Sequence, residues 1–371
     1  MARAVLALNA GSSSLKVALA PAHSPETPAL SGAVDRLGGP EGGMTITRAD
    51  GTTLHHALAD ADHDTALRAL CDTMAAERPD LRIAAIGHRI VHGGADHTDP
   101  VRATPEVIAA LDALTPLAPL HQPHGVQGIR TALSLFPDAA HVACFDTAFH
   151  ATKPWVQDTF ALPGRYFEMG LRRFGFHGLA CQSVCAALRA EGYALDARAV
   201  VIAHLGNGCS VTAVQGGRSV ATSMGFSALD GLAMGTRCGR IDPGAILHLL
   251  RLGYDRADLE DLLYRQSGLL GLSGLSNDMR DLTRSDAPEA RRAVEFFVTR
   301  AAEEICRLAG AMGGLDSVVF SGGIGENAPE IRDAITSRLA FLPGRDGQGV
   351  ESLVRPAREE QELMRIAAGF L

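Results

Sequence analysis

Lysine is almost missing from this sequence. Of 34 lysines and arginines in 371 residues, only Lys16 and Lys153 are lysine. A general arginine bias accounts for most of the imbalance. It does not account for Lys16, where a compact ammonium suits a tight phosphate site better than a planar guanidinium fork. A long basic run is also missing and the formal net charge is -8. Nucleic acid and anionic membranes are therefore not expected as partners, although a local anion pocket stays open. The seven cysteines are odd in number and include no Cys-x-x-Cys. Neither a disulfide framework nor a zinc site is expected, and a reduced cytoplasm fits. The apolar start breaks at Asn9 in a polar turn, not a cleavage site, so no signal peptide is expected. No apolar run reaches membrane-spanning length.

What is present fits an ordinary globular enzyme. Hydrophobic residues make up 46% and charged residues 20%, which supports a packed core and excludes wholesale disorder. At about 100–200 residues per domain, the length predicts two domains. Val5–Leu8 and Leu15–Ala20 read as two strands joined by a polar turn. The pattern predicts a helix through Thr65–Ala75, a strand over Leu81–Ile86, and a helix from Pro105 capped by Thr104. A helix over Val126–Leu135 and a strand over His141–Phe145 ending at Asp146 follow. Ala199–Leu205 and Cys209–Val214 repeat the strand, glycine-rich turn, strand arrangement of the N-terminus. Ala293–Ala311 is an amphipathic helix, and Val318–Phe320 a strand. Asn327 is expected to cap the next helix, with Glu330 three residues on. Two hairpin-led α/β halves suggest a ligand cleft between domains.

Several segments carry chemistry. Asn9-Ala10-Gly11-Ser12-Ser13-Ser14-Leu15-Lys16 offers successive amides, three hydroxyls and an ammonium, which makes an anion cradle. It is not a Walker loop, because the Gly-x-x-x-x-Gly-Lys-Ser/Thr spacing is absent and the run continues into a strand. Alone, it is equally an ordinary polar hairpin. Gly206-Asn207-Gly208 duplicates it, although Asn-Gly is a common hairpin signal. Gly322–Asn327 sits where a strand enters a helix, where backbone closely approaches ligands and negative charge is favoured. Arg89, Arg237 and Arg280 lie beside such turns, and guanidinium groups neutralise a phosphoryl in flight. For any lone arginine a surface ion pair is the commoner role. Asp146 ends a strand, where capping a loop is the bland alternative. His177 lies among aromatic and glycine neighbours, in a shaped pocket or a merely structural turn. His121-Gln122-Pro123-His124 could imitate a metal pair, but the proline predicts a loop there, not a ligand helix.

Taken in order, these motifs resemble the acetate kinase family, within the sugar kinase, hsp70 and actin folds. The residues are Asn9–Lys16, His88–Gly94, Leu117–His121, Phe145–His150, Arg173–Gly178, His204–Gly208, Gly235–Gly239 and Gly322–Asn327, spanning nearly the whole chain. The resemblance implies two similar ribonuclease H-like α/β domains around a nucleotide cleft, 1–148 with 358–371 and 149–357. It implies direct in-line transfer between MgATP and acetate, giving acetyl phosphate. Arg89 and Arg237 then bind carboxylate and steady the phosphoryl, Asp146 is the essential acid and His177 positions the phosphoryl. Lys16, Ser12, His204, Leu205, Gly206, Asn207, Gly208, Asp278, Met279, Arg280, Gly323, Ile324, Gly325, Glu326 and Asn327 correspond to the nucleotide site. Asn9 and Glu359 correspond to the positions that hold Mg²⁺, with Mn²⁺ as an alternative. A homodimer is implied as well.

The sequence departs from the family pattern in three places. Pro356-Ala357-Arg358-Glu359-Glu360 stands where the family has Pro-Thr-Asn-Glu-Glu. Matching from the proline selects Glu359 for the metal, whereas matching from Ile366-Ala367 selects Glu362. Ala228 stands where family members often carry proline in an acyl pocket shared with positions matching Val91 and Leu120. One methylene is worth about 1–3 kcal/mol in such a pocket. The chain is also somewhat short for the family. The alternatives are a propionate or butyrate kinase, and a nucleotide-switched binding protein of the same fold. Arg89, Arg237 and Asp146 weigh against the last, because nucleotide binding alone does not require them.

Overall fold

The computed structural model describes residues 1–11, 14–119 and 121–371. The chain divides into two units, Met1–Ala148 with Arg358–Leu371, and Phe149–Ala357. The first contains β1 (Ala2–Ala10), β2 (Ser14–Pro21), β3 (Leu30–Asp35), β4 (Gly43–Arg48), β5 (Thr53–Ala57), α1 (His63–Glu77) and β6 (Leu81–Ile90). It continues through β7 (Val101–Arg102), α2 (Pro105–Ala113), α3 (Gln122–Leu135) and β8 (Ala140–Phe145), and is completed by the C-terminal helix Glu359–Ala368.

Its sheet runs β5-β4-β3-β2-β1-β6-β8-β7. The β1–β2 and β2–β3 pairs are antiparallel, whereas β1–β6 and β6–β8 are parallel. Ala4–Leu8 of β1 are buried without alternation, as expected of a strand covered on both faces. Leu6, Leu8, Leu15 and Val17 pack with Leu67, Leu70 and Met74 of α1 in one apolar cluster. The C-terminal helix also packs on β1 and β6. Gly87 permits its approach: a Cβ there would stand 2.5 Å from the Leu363 carbonyl oxygen.

The second unit contains α4 (Trp155–Asp158), α5 (Gly164–Glu168), α6 (Gly178–Ala190), β9 (Ala199–Leu205), β10 (Cys209–Gln215) and β11 (Arg218–Thr222). Then come α7 (Pro243–Arg251), α8 (Arg256–Arg265), α9 (Gly268–Ser273), α10 (Met279–Arg284), α11 (Pro288–Met312), β12 (Ser317–Ser321), α12 (Gly322–Asn327), α13 (Pro329–Arg338) and β13 (Glu351–Val354). Its sheet order is β11-β10-β9-β12-β13. The first two pairings are antiparallel and the last two parallel. This is the same sequence of pairings as β3-β2-β1-β6-β8, so each unit carries one copy of a ribonuclease H-like sheet.

Two local expectations are corrected. Asn327 is not an N-cap: the chain turns helical directly off β12 at Gly322, and Asn327 instead donates from Nδ2 to the Gly323 carbonyl oxygen. His124 is helical, because Pro123 occupies the first turn of α3, where a missing N–H costs nothing. Thr104 does cap α2, accepting from the Val107 amide. All seven cysteines carry free thiols. Among the described residues no helix is long and apolar enough to cross a membrane.

Buried histidines tie stability to pH. Burial holds His92 down to about 4 and His150 to about 3. Below pH 6.5 the unfolded chain takes up protons that these rings refuse, so stability falls as the pH falls. From pH 6.5 to 5 each ring is expected to remove about 2 kcal/mol. Urea unfolding at pH 7 and pH 5 checks this, and equal midpoints would contradict it.

Candidate active site

In the first unit, the parallel strands β1, β6 and β8 end side by side. Asn9 lies near the end of β1, Arg89 near the end of β6, and Asp146 directly after β8. Carboxyl ends of parallel strands are where α/β sheets place ligands. Arg89 donates from Nε to Asp146 Oδ1 at 3.2 Å and from Nη2 to Oδ2 at 2.6 Å, a two-pronged pair. Its Nη1 donates to Asn9 Oδ1 at 3.1 Å. Glu359, in the first turn of the C-terminal helix, brings Oε2 to 3.4 Å from Arg89 Nε and accepts from Asn9 Nδ2 at 3.5 Å. Glu362 is turned elsewhere, with Oε1 on Arg365 Nη2 at 2.5 Å. The structure thus groups Glu359, and not Glu362, with Asn9.

The charges in this cluster are incompletely balanced. Asp146 is 1% exposed. Burial pushes its carboxyl up to about 6; Arg89 opposes the rise and Glu359 adds to it. Burial also works against the Arg89 charge, but Asp146 and Glu359 outweigh it and hold the guanidinium fully protonated. One cation between two carboxylates leaves the group with a net negative charge. That charge and the oxygens of Asn9 and Glu359 suit a hard divalent cation, which is commonly held by few protein oxygens plus phosphates and water. Among the described residues no cluster of three or more His, Cys, Asp or Glu forms a metal cage.

Lys16 lies directly across the β1–β2 ladder from Asn9. The turn between them is closed by the Gly11 amide donating to the Ser14 carbonyl oxygen at 2.8 Å. Ser12 and Leu120 lie outside the described residues. Val91 follows β6 and is half-buried.

In the second unit, a cavity of ≈ 540 Å³ is walled by the Gly206-Asn207 turn, Asn277–Arg280 and Gly323–Ile324, with Asn327 also in its lining. Asp278 caps α10, accepting from the Arg280 amide at 2.8 Å, and also holds the Arg280 guanidinium. Eight expected nucleotide residues line this one space: Gly206, Asn207, Asp278, Met279, Arg280, Gly323, Ile324 and Asn327. Five others do not. Leu205 and Gly325 are buried in the framework, and Gly208 and His204 lie beside His177 instead. Glu326 accepts from the Gly322 and Ala357 amides, so its carboxylate braces backbone. Sequence reading missed Asn277, Thr283, Arg284, Ala328 and Glu330. Helical spacing was the usable signal for two of them, because Thr283 and Arg284 lie four residues beyond Met279 and Arg280.

His177 donates or accepts through Nδ1 with Ser210 Oγ at 3.0 Å. A Cβ added to Gly208 would stand 3.1 Å from His177 Nε2 and 3.9 Å from Arg237 Nη1. His177 and Arg237 therefore converge on one turn. Arg237 Nη1 also donates to the Ala228 carbonyl oxygen at 3.3 Å, joining the residue matched to the acyl pocket. The Gly235 amide donates to the Asn207 carbonyl oxygen at 3.3 Å, which couples the arginine's loop to the cavity wall.

The model of the acetokinase family matches residues 4–348. The chain belongs to that family. It is 47% identical over 349 residues to an acetate kinase of Rhodopseudomonas palustris, covering 92% of this chain and 87% of that protein. In structure it is similar to a propionate kinase from Francisella tularensis, with a TM-score of 0.90, 32% identity and complete coverage of both chains. It is likewise similar to Porphyromonas gingivalis acetate kinase, with a TM-score of 0.88, 32% identity and 99% of each chain covered. Acetokinases are phosphotransferases with a carboxyl acceptor, and the ATP-dependent acetyl phosphate reaction is the family function. The fold is accordingly that of the actin, hsp70 and sugar kinase class.

Proposed function

We propose that this chain transfers the γ-phosphoryl group of MgATP reversibly to acetate, giving acetyl phosphate and ADP. The observation that carries the reading is the half-buried Arg89, gripped through two hydrogen bonds by the buried Asp146 and flanked by Asn9 and Glu359. Acetate is already ionised at neutral pH, so its attack on phosphorus needs no general base. The demand is to hold two anions together and to neutralise charge on the phosphoryl oxygens. Asp146 serves by fixing the Arg89 fork, not by moving a proton. Asn9 and Glu359 would hold Mg²⁺, which supplies further charge neutralisation to the phosphates when bound. Arg237 and His177 serve the transferring phosphoryl. The 540 Å³ cavity takes the nucleotide. Lys16 contributes a phosphate contact.

Purified protein with ATP, Mg²⁺, acetate and hydroxylamine should yield acetyl hydroxamate. No hydroxamate with any short carboxylate would sink the reading. Ala228 favours a second acceptor, because a residue smaller than proline leaves room for a longer chain. A preference of about 10–200-fold in kcat/KM per methylene is the expected scale among acetate, propionate and butyrate.

The working form is proposed to be a homodimer through the second unit. Helix α7 buries none of its residues. Leu247, Leu250 and Leu252 are 55%, 47% and 63% exposed, an apolar face of the kind interfaces cover. Light scattering should give twice the 38.9 kDa chain mass; a monomer would contradict it.

A further inference from the structure

Lys153 is the second of the two lysines, and no step above uses it. Its side chain is 2% exposed. The ammonium donates to the His150 carbonyl oxygen at 2.7 Å and to the Phe174 carbonyl oxygen at 3.0 Å. Asp158 Oδ1 lies 3.5 Å away as its counter-ion, and the Arg172 and Arg173 charges oppose it nearby. Acceptors grouped around a single nitrogen suit a compact ammonium and do not suit a flat guanidinium. That accounts for a lysine here in a chain that otherwise uses arginine.

The Phe174 carbonyl begins the turn that ends at His177. Every exit of this turn is held. His150 Nε2 bonds the Phe176 carbonyl oxygen at 2.9 Å, and His150 Nδ1 is fixed by Ser219 Oγ at 2.9 Å. The Phe174 and Gly175 amides both donate to the Gly225 carbonyl oxygen, at 3.0 and 3.2 Å. Gly175 has φ +81, and a Cβ on it would stand 2.6 Å from Thr222 Cγ2 and 2.9 Å from the His150 ring. The turn delivers His177 with φ 59 and ψ 28, a left-handed conformation that side-chain-bearing residues avoid. Such conformations persist only where their surroundings over-determine them, and they gather at functional sites.

We infer that Lys153 is a positioning residue for the phosphoryl transfer. Its ammonium clamps the Phe174–His177 turn and so sets the His177 imidazole against the Gly206–Gly208 turn. This rests on the role given to His177 above.

The experiment is a double-mutant cycle. Lys153→Met should lower kcat by tenfold to about a hundredfold, the scale of a misplaced catalytic group. Lys153→Arg should do the same although its charge is kept. ADP affinity by calorimetry should stay within about twofold in both. Adding Lys153→Met to His177→Ala should cost nothing further, because the lysine then has nothing to position. A normal kcat in Lys153→Met, or losses that multiply in the double variant, would overturn the inference. Full activity in His177→Ala alone would instead remove the role given to His177. If Lys153→Met does not fold, Lys153→Gln carries the same cycle, since its shorter amide keeps a polar group in the pocket but cannot bridge the His150 and Phe174 carbonyls as the ammonium does.

Discussion

Arg89→Ala is expected to lower kcat by at least about 10³-fold, the scale of losing an arginine from a phosphoryl-transfer site. It should also destabilise the chain. Asp146 is buried and loses its two-pronged partner; breaking such a pair typically costs about 3–5 kcal/mol. The two losses separate in a double variant. Arg89→Ala with Asp146→Asn removes the stranded charge, so the unfolding midpoint should recover while kcat does not. A kcat within tenfold of the parent in Arg89→Ala would refute the catalytic role. Arg89→Lys should fall between, because an ammonium keeps the charge but cannot span both oxygens of Asp146.

Arg237→Ala is expected to cost kcat a similar factor of about 10³, by removing charge from the transition state. Its signature should differ from that of Arg89. Arg237 is not among the residues lining the cavity proposed for the nucleotide, so ADP affinity by calorimetry should stay within a few-fold. The acceptor side should respond instead. Arg237 holds the Ala228 carbonyl, so KM for acetate should rise along with the fall in kcat. Weakened ADP binding with unchanged acetate KM would move Arg237 from the acceptor to the nucleotide.

Legibility in the sequence followed interaction range. The β1–β2 and β9–β10 hairpins were readable because apolar runs and a polar turn lie within about a dozen residues. Thr104 was readable as a cap for the same reason. Asn327 misled, because its Asn-x-x-Glu pattern matches a cap while the chain had already turned helical at Gly322. His124 misled in the other direction, since a proline in a first helical turn looks like a loop breaker. The glycine-rich and polar turns were readable one by one. That Asn207, Asp278 and Gly323 wall one cavity was not, since they come from segments far apart in the chain.

By itself the sequence determined the order of the motifs and the paired hairpins, because these depend on local turn chemistry and periodicity, and the family followed from the resemblance those motifs carry. Only the tertiary structure decided which residues share a charge. Parallel pairing of β1, β6 and β8 brings Asn9, Arg89 and Asp146 together. Docking of the C-terminal helix on Gly87 brings Glu359 to them and turns Glu362 away. The same holds for the two lysines. The sequence could mark Lys16 as a candidate because a turn surrounds it. Around Lys153 the His150 carbonyl and Asp158 are near in sequence, but the Phe174 carbonyl comes from 21 residues along the chain, so the clamp on that turn exists only in three dimensions.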